Sequence, residues 1–350
     1  MSENGSAVRV LQVGCGGIAG TWFAAARQLP EIIYVGLVDV NLEAARARRD
    51  EFAPDALVFD DLATALRETR PQVVFDCTVP AAHTPTARAA LEAGASVLSE
   101  KPLSDMVANA HLAISAAQTT GGVYAVTQNY RYAAGPRRLK AFLESGMLGR
   151  VTTVNADMYL GAHFGGFREA MDHVLLLDMA IHTFDMARFL SGANAQSVFC
   201  HEWNPSGSWY GGGPQGRAGA SAHAIFAMSD AVVFSFRGSW CATGCPSGFQ
   251  ASWRIIGERG TVLWDGAEGF KCEVEAGEEG FFRPVQIVEI PSGDFGEKTR
   301  GHAGIMREFL DALQGGLPPE TVASDNLHSL AMVLGAVESA ELGQRVAIGT

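Results

Sequence analysis

Short apolar runs alternate with longer amphipathic segments through the first third of the chain. Residues 8–13 read VRVLQV, 32–40 IIYVGLVDV, 73–79 VVFDCTV, 96–100 SVLSE and 123–128 VYAVTQ. Continuous apolar character over so few residues suits strands buried on both faces, as in a parallel sheet. Between them TWFAAARQL, NLEAARARRDEF, TPTARAALEAG and a stretch from about Asp105 have the length and composition of helices. Strand–helix repeats of this kind predict a doubly wound parallel sheet. From about residue 150 the texture changes. RVTTVNADMYL, SAHAIFAM, AVVFSFRGSW, ASWRIIG and GTVLW alternate aromatic or β-branched residues with polar ones, and hairpin turns are expected at Ser229–Asp230 and at GERG, 257–260. Such alternation suits a sheet with one buried face. A chain of 350 residues exceeds one ordinary core. The expected division is 1–128 and 129–350.

Composition narrows the class. Hydrophobic residues make up 47% and charged residues 18%, as in a soluble globular protein, and Asp, His or Gly interrupts every apolar run before membrane-spanning length. The polar start MSENGSAVRVLQVG shows no signal peptide, so a cytoplasmic location is expected. A net charge of −12 argues against nucleic acid and anionic membrane surfaces as partners. The cysteines at 15, 77, 200, 241, 245 and 272 are scattered and read as plain thiols. Cys241 and Cys245 lack further ligands at matching spacing, so no metal site is expected.

The first apolar run ends in GCGGIAG, residues 14–20. Gly14 permits a tight strand-to-helix turn, Gly16 and Gly17 let backbone N–H groups approach a pyrophosphate, and a small residue at Ala19 or Gly20 lets the helix pack closely on the sheet. With Ile18, these residues form a loop whose phosphates would sit on a helix N-terminus. Asp39 ends the next strand, where a carboxylate binds a ribose diol and repels a 2′-phosphate. NAD is therefore favoured over NADP. Arg46, Arg48 and Arg49, further along, read as a solvated helix face.

Other polar groups mark the carboxyl ends of the later strands, where ligands of such sheets lie. They are Thr78 before Pro80, the pair Glu100–Lys101, and Gln128–Asn129. A cation at Lys101 would donate to a substrate oxygen and favour a developing alkoxide. In LLLDMAIHTFD, 175–185, the residues Asp178, His182 and Asp185 share one face of a helix by their spacing. That stripe could be a solvated edge, a satisfied buried pair or an acid–base device. The loop 161–173, GAHFGGFREAMDH, adds His163, Arg168 and His173 as candidate substrate contacts or loop-stabilising groups. The Gly-rich stretch 204–216 could be a lid or a subunit-contact arm.

Together, GCGGIAG, the acid-ended second strand, EKPLS at 100–104, NYR at 129–131 and DMAIHTFD resemble the Gfo/Idh/MocA family of NAD(P)-dependent oxidoreductases. So does the helical closing stretch, and the similarity runs from about residue 8 to about 346. The resemblance implies an N-terminal Rossmann domain and a C-terminal α/β domain with a large open, mostly antiparallel sheet, commonly the oligomer interface. It implies substrates among sugars, cyclitols and related polyols, oxidised at a secondary hydroxyl, and a homodimer or homotetramer formed through that sheet. By motif match Lys101, Asp178 and His182 are the catalytic residues. Thr78, Val79, Pro80 and His83, with Glu100, line the cofactor, and Asn129 lies beside nicotinamide and substrate. Ala180 stands where the family often has glycine between acid and histidine, so the pocket rim differs. The expected chemistry is hydride transfer to NAD with His182 as base, a role suited to a histidine's ordinary pKa near ~6.5. The alternatives are an NAD-dependent glycosidase or lyase using transient oxidation, and a non-catalytic dinucleotide-binding sensor.

Overall fold

The computed structural model describes residues 7–163, 165–206, 209–212 and 219–350. The chain divides into two compact units, residues 1–132 with 296–327, and 133–295 with 328–350.

Among the described residues of the first unit, strands β1 (Val8–Val13), β2 (Ile32–Val38), β3 (Leu57–Phe59), β4 (Val73–Asp76), β5 (Ser96–Ser99) and β6 (Tyr124–Val126) form a sheet of order β3-β2-β1-β4-β5-β6. Every pairing in it is parallel. This is the doubly wound order, with the reversal between β1 and β4. Its helices include α1 (Gly17–Ala26), α2 (Leu42–Phe52), α3 (Leu62–Thr69), α4 (Pro80–Glu92) and α5 (Val107–Thr120). In register, Val13 lies beside both Val38 and Asp76, Asp76 beside Ser99, and Ser99 beside Val126. The carboxyl ends of β1, β2, β4, β5 and β6 therefore lie along one edge.

A division at 128/129 misses one feature. Residues 296–327 return to the first unit, because the helix His302–Leu313 has a strongly apolar face. Ala303, Ile305, Met306, Phe309 and Leu310 enter the same core as Trp22, Phe23, Phe75 and Val10. Trp22 meets Phe75 edge-on at 5.3 Å, and Phe23 stacks on Phe52 at 4.9 Å. Periodicity shows that a helix has an apolar face but not which core that face joins.

The second unit holds a nine-stranded sheet among its described residues. Its central strands are β7 (Val151–Tyr159), β8 (Ala195–Trp203), β9 (Ser221–Met228), β10 (Val233–Ser239), β11 (Ser252–Gly257) and β12 (Gly260–Trp264). Only β7 and β10 pair in parallel; the rest are antiparallel. The turns at Ser229–Asp230 and 257–260 join β9 to β10 and β11 to β12 as expected. Phe184, on the helix Ile181–Ser191, packs edge-on against Phe226, Phe234 and Phe236 of β9 and β10 at 4.8, 5.8 and 5.2 Å. That aromatic contact anchors the helix carrying His182. On the other face of the strands Phe199, Ile225 and Val233 are exposed. None of the helices among the described residues is long and apolar enough to cross a membrane.

Phe309 is fully buried, so Phe309→Ala should lower stability by about 3–5 kcal/mol through lost burial and the cavity left behind. Urea unfolding followed by circular dichroism checks this. A loss below about 1 kcal/mol, the median for point mutants, would contradict a core role for the returning helix.

Candidate functional site

The Gly-rich loop begins where β1 ends. Gly14 has φ +83°, and a Cβ there would lie 2.5 Å from the Cys77 carbonyl oxygen, so both backbone conformation and space require glycine. Over Gly16 and Gly17 a Cβ would meet nothing within 4 Å. No side chain caps the N-terminus of α1 and no acid stands in its first turn, which suits an anion. Ala19 is fully buried, whereas Ile18 is exposed. Asp39 follows β2, and its carboxylate accepts from Cys15 N at 2.7 Å and Asn41 N at 2.8 Å. Open space over the loop, free helical N–H groups and an acid at the strand end fit a dinucleotide.

Further along the same edge the expected residues divide into two kinds. Thr78 Oγ1 donates to Asp76 Oδ1 at 2.6 Å, Asp76 being fully buried, which pushes its carboxyl pKa up. Val79 is exposed and Pro80 opens α4. His83, in contrast, is fully buried. Its Nδ1 lies 2.7 Å from the Pro102 carbonyl and its Nε2 3.1 Å from that of Thr78. It ties two strand-end loops together instead of lining a cofactor surface. Glu100 likewise turns inward. It accepts from Trp22 Nε1 at 2.7 Å and from Lys101 N at 3.1 Å, and lies 3.6 Å from His302 Nε2. Burial raises its pKa, but His302, Trp22 and the Lys101 charge together outweigh that and the net shift is down. Both residues were expected to line the cofactor; each is buried and bonded within the protein. Half-buried Lys101 follows directly, joined to Pro102 by a cis peptide bond. Half-buried Asn129 opens the turn Asn129–Arg131, and its carbonyl accepts from Tyr132 N at 3.0 Å.

In the second unit the expected single α-helix over 175–185 is composite. Leu175–Ala180 is a π-helix and Ile181–Ser191 an α-helix, a combination frequent at functional sites. The wider turn means that Asp178 and His182 are not stacked as on an uninterrupted α-helix. Both are buried, to 7% and 6% exposure. Arg168 holds Asp178 with two N–H groups, Nε to Oδ2 at 2.6 Å and Nη2 to Oδ1 at 3.4 Å, and its guanidinium covers the Phe167 ring at 4.6 Å. Asp185 accepts from Ser329 Oγ at 2.6 Å and lies 3.8 Å from Arg188, the pattern of a helix-supporting group.

The other loop candidates serve the loop itself. His173, at φ +52°, is buried with Nδ1 2.5 Å from Glu202 and Nε2 3.3 Å from Glu341. With carboxylates at both ring nitrogens it locks the segment before the π-helix instead of facing a substrate. Exposed His163 lies against the Trp209 ring at 3.9 Å. Tyr210 donates its hydroxyl to the Ala162 carbonyl, and its N–H to Glu169 at 2.5 Å. The described part of the 204–216 stretch thus folds onto 162–169, while 207, 208 and 213–216 lie outside the described residues.

One residue escaped the sequence reading. Arg48, taken for part of a solvated face, donates Nη2 to the Gly16 carbonyl at 3.1 Å and Nε to that of Cys15 at 3.4 Å. The one available signal was Gly20, where a Cβ would press the guanidinium at 3.1 Å.

Comparison with known proteins agrees with this layout. Residues 8–128 match the oxidoreductase family with an NAD-binding Rossmann fold, and 137–263 match the GFO/IDH/MocA C-terminal domain. Protein y4oX of Sinorhizobium fredii is 29% identical over 97% of this chain and 95% of its own length. D-glucoside 3-dehydrogenase of Escherichia coli is 29% identical over 58% of this chain and 60% of its own. The fold matches that of an Agrobacterium radiobacter oxidoreductase crystallised with NAD+, L-tartaric acid and magnesium, with a TM-score of 0.84 at 19% identity, covering 98% of this chain and 99% of that one. With both domain models matched in order and a dinucleotide loop in place, this chain belongs to the Gfo/Idh/MocA family of NAD-binding oxidoreductases.

Proposed function

We propose that the protein oxidises a secondary hydroxyl of a sugar, cyclitol or related polyol, with His182 as general base. The observation that carries this reading is that Asp178 and His182, on either side of a π-to-α junction, are both buried, in a chain that also builds a dinucleotide cradle. Bound NAD supplies the hydride acceptor. In the second unit His182 takes the hydroxyl proton as the C–H bond breaks, leaving a ketone; in the first, Lys101 is suited to donate to a substrate oxygen and favour alkoxide character. Asp178 polarises the histidine and stabilises its protonated form. Arg168, by holding both oxygens of Asp178, limits the orientations that carboxylate can adopt.

The test is the pH profile of NADH formation across a panel of sugars and polyols. His182→Ala should cut kcat by about 10²–10⁴ with NAD affinity nearly unchanged. Lys101→Ala should also lower turnover, and Asp178→Asn should cost less than His182→Ala while lowering the apparent pKa of the base. A His182→Ala enzyme with wild-type rate and pH dependence would end the assignment. Sugar turnover without net NADH would favour a glycosidase or lyase instead.

The exposed sheet face supports a homodimer or homotetramer. Phe199, Ile225 and Val233 are 45%, 56% and 40% exposed on adjoining strands, and proteins usually cover an apolar sheet face of this kind. Light scattering at micromolar concentration should show an oligomer that Ile225→Glu weakens; a wild-type monomer would contradict it.

A further inference from the structure

The carboxylate beside Lys101 is held by groups distant in sequence. Glu100 is buried, and its Oε1 accepts from Trp22 Nε1 at 2.7 Å and faces His302 Nε2 at 3.6 Å. Its Oε2 accepts from the Lys101 N–H at 3.1 Å. One side chain therefore connects the returning helix His302–Leu313 to the backbone of Lys101. The imidazole is half-buried, and the Trp22 ring meets it edge-on at 6.1 Å, so packing sets its place beside the carboxylate. The same helix end grips a second loop. Gly301 N–H donates to the Tyr132 carbonyl at 2.8 Å, and Tyr132 N–H to that of Asn129 at 3.0 Å.

A carboxylate in these surroundings needs help to stay charged. Burial opposes its ionisation most, and Asp76 and Cys77, at the end of β4, are two further acidic groups that feel its charge. Trp22 offers only a neutral N–H. Of the groups that favour the charge, His302 contributes most, with Trp22 and Lys101 behind it. We infer that His302 is a positioning residue for the proposed dehydrogenation: it keeps Glu100 ionised, and the ionised carboxylate fixes the backbone at Lys101. A protonated carboxyl converts one acceptor oxygen into an O–H donor, so it no longer serves Trp22 and Lys101 together with charge-assisted bonds. The Lys101 backbone then loosens, and its ammonium loses the geometry in which it favours a developing alkoxide. This depends on Lys101 acting on the substrate as proposed, and adds that the returning helix sets how well it acts.

The experiment compares the wild type, His302→Leu, His302→Gln, Glu100→Gln and the His302→Leu/Glu100→Gln double variant. On a sugar or cyclitol of the panel that the wild type oxidises, His302→Leu should lower kcat by about ten- to a hundredfold. KM and the NAD dissociation constant should change less. The loss should deepen as pH falls, because the unsupported carboxyl takes its proton nearer neutrality. Glu100→Gln, a permanently uncharged analogue, should share the low turnover without that added acid limb. His302→Gln keeps an N–H beside the carboxylate and should recover most of the activity. Urea unfolding supplies a readout that needs no substrate. Without His302, burial should hold the folded carboxyl above its unfolded pKa, so His302→Leu should gain stability over the double variant as pH falls from about 8 toward 5. A His302→Leu enzyme with lowered stability but wild-type kcat and pH profile would show that His302 only packs the helix, and the inference fails. It fails as well if the stability difference between His302→Leu and the double variant stays constant over that range. A Lys101→Ala enzyme with the wild-type rate would overturn the proposed role of Lys101, and the inference with it. A slow Lys101→Ala beside an unimpaired His302→Leu removes the inference alone.

Discussion

The approach of two backbones at Gly14 is the constraint on which the first unit depends. Its Cβ position lies 2.5 Å from the Cys77 carbonyl, and its φ of +83° belongs to the left-handed region. Only glycine meets both conditions without strain. The chain can then leave β1 close against the end of β4 and turn directly into α1, which aims the uncapped N-terminus of that helix along the carboxyl edge. Moving the loop outward would lose the open space over Gly16 and Gly17 together with the bonds that Asp39 and Arg48 make to Cys15. Glu100 then fixes that edge to the core, receiving Trp22 from α1 and standing beside His302 from the returning helix. The cofactor edge and the hydrophobic core are therefore joined through one buried carboxylate.

In the second unit the governing rule is that a charge taken out of water must find a partner. Several ionisable residues lie buried near the π-helix, and each is met differently. Asp178 is held by Arg168, His173 lies between Glu202 and Glu341, and Asp185 is bonded to Ser329 beside Arg188. Polar residues adjacent in sequence thus take different parts. Two lock the frame, and the Asp178–His182 pair carries the proposed chemistry. The aromatic seat of Phe184 against β9 and β10 keeps the helix from rotating and changing those assignments.

Periodicity and local turn chemistry determined a good deal by themselves. The strands at 8–13, 73–76 and 96–99, the Gly14 turn, Asp39 at a strand end and the alternating strands after 150 were all legible, because each is set by neighbours within a few residues. Short elements such as Leu57–Phe59 and Val285–Ile287 carry too few residues for a period to register. The π-helix was also invisible, since a one-residue widening of the turn leaves the same apolar spacing in LLLDMAIHTFD. The tertiary structure alone decided which core the helix at 302–313 joins, that His83 and Glu100 point inward, that His173 is a lock, and that Arg48 reaches back to the Gly-rich loop. These are choices among partners distant in sequence. A side chain's identity limits what it can bond, but the partner that satisfies it is set only when the chain brings that group within about 3 Å.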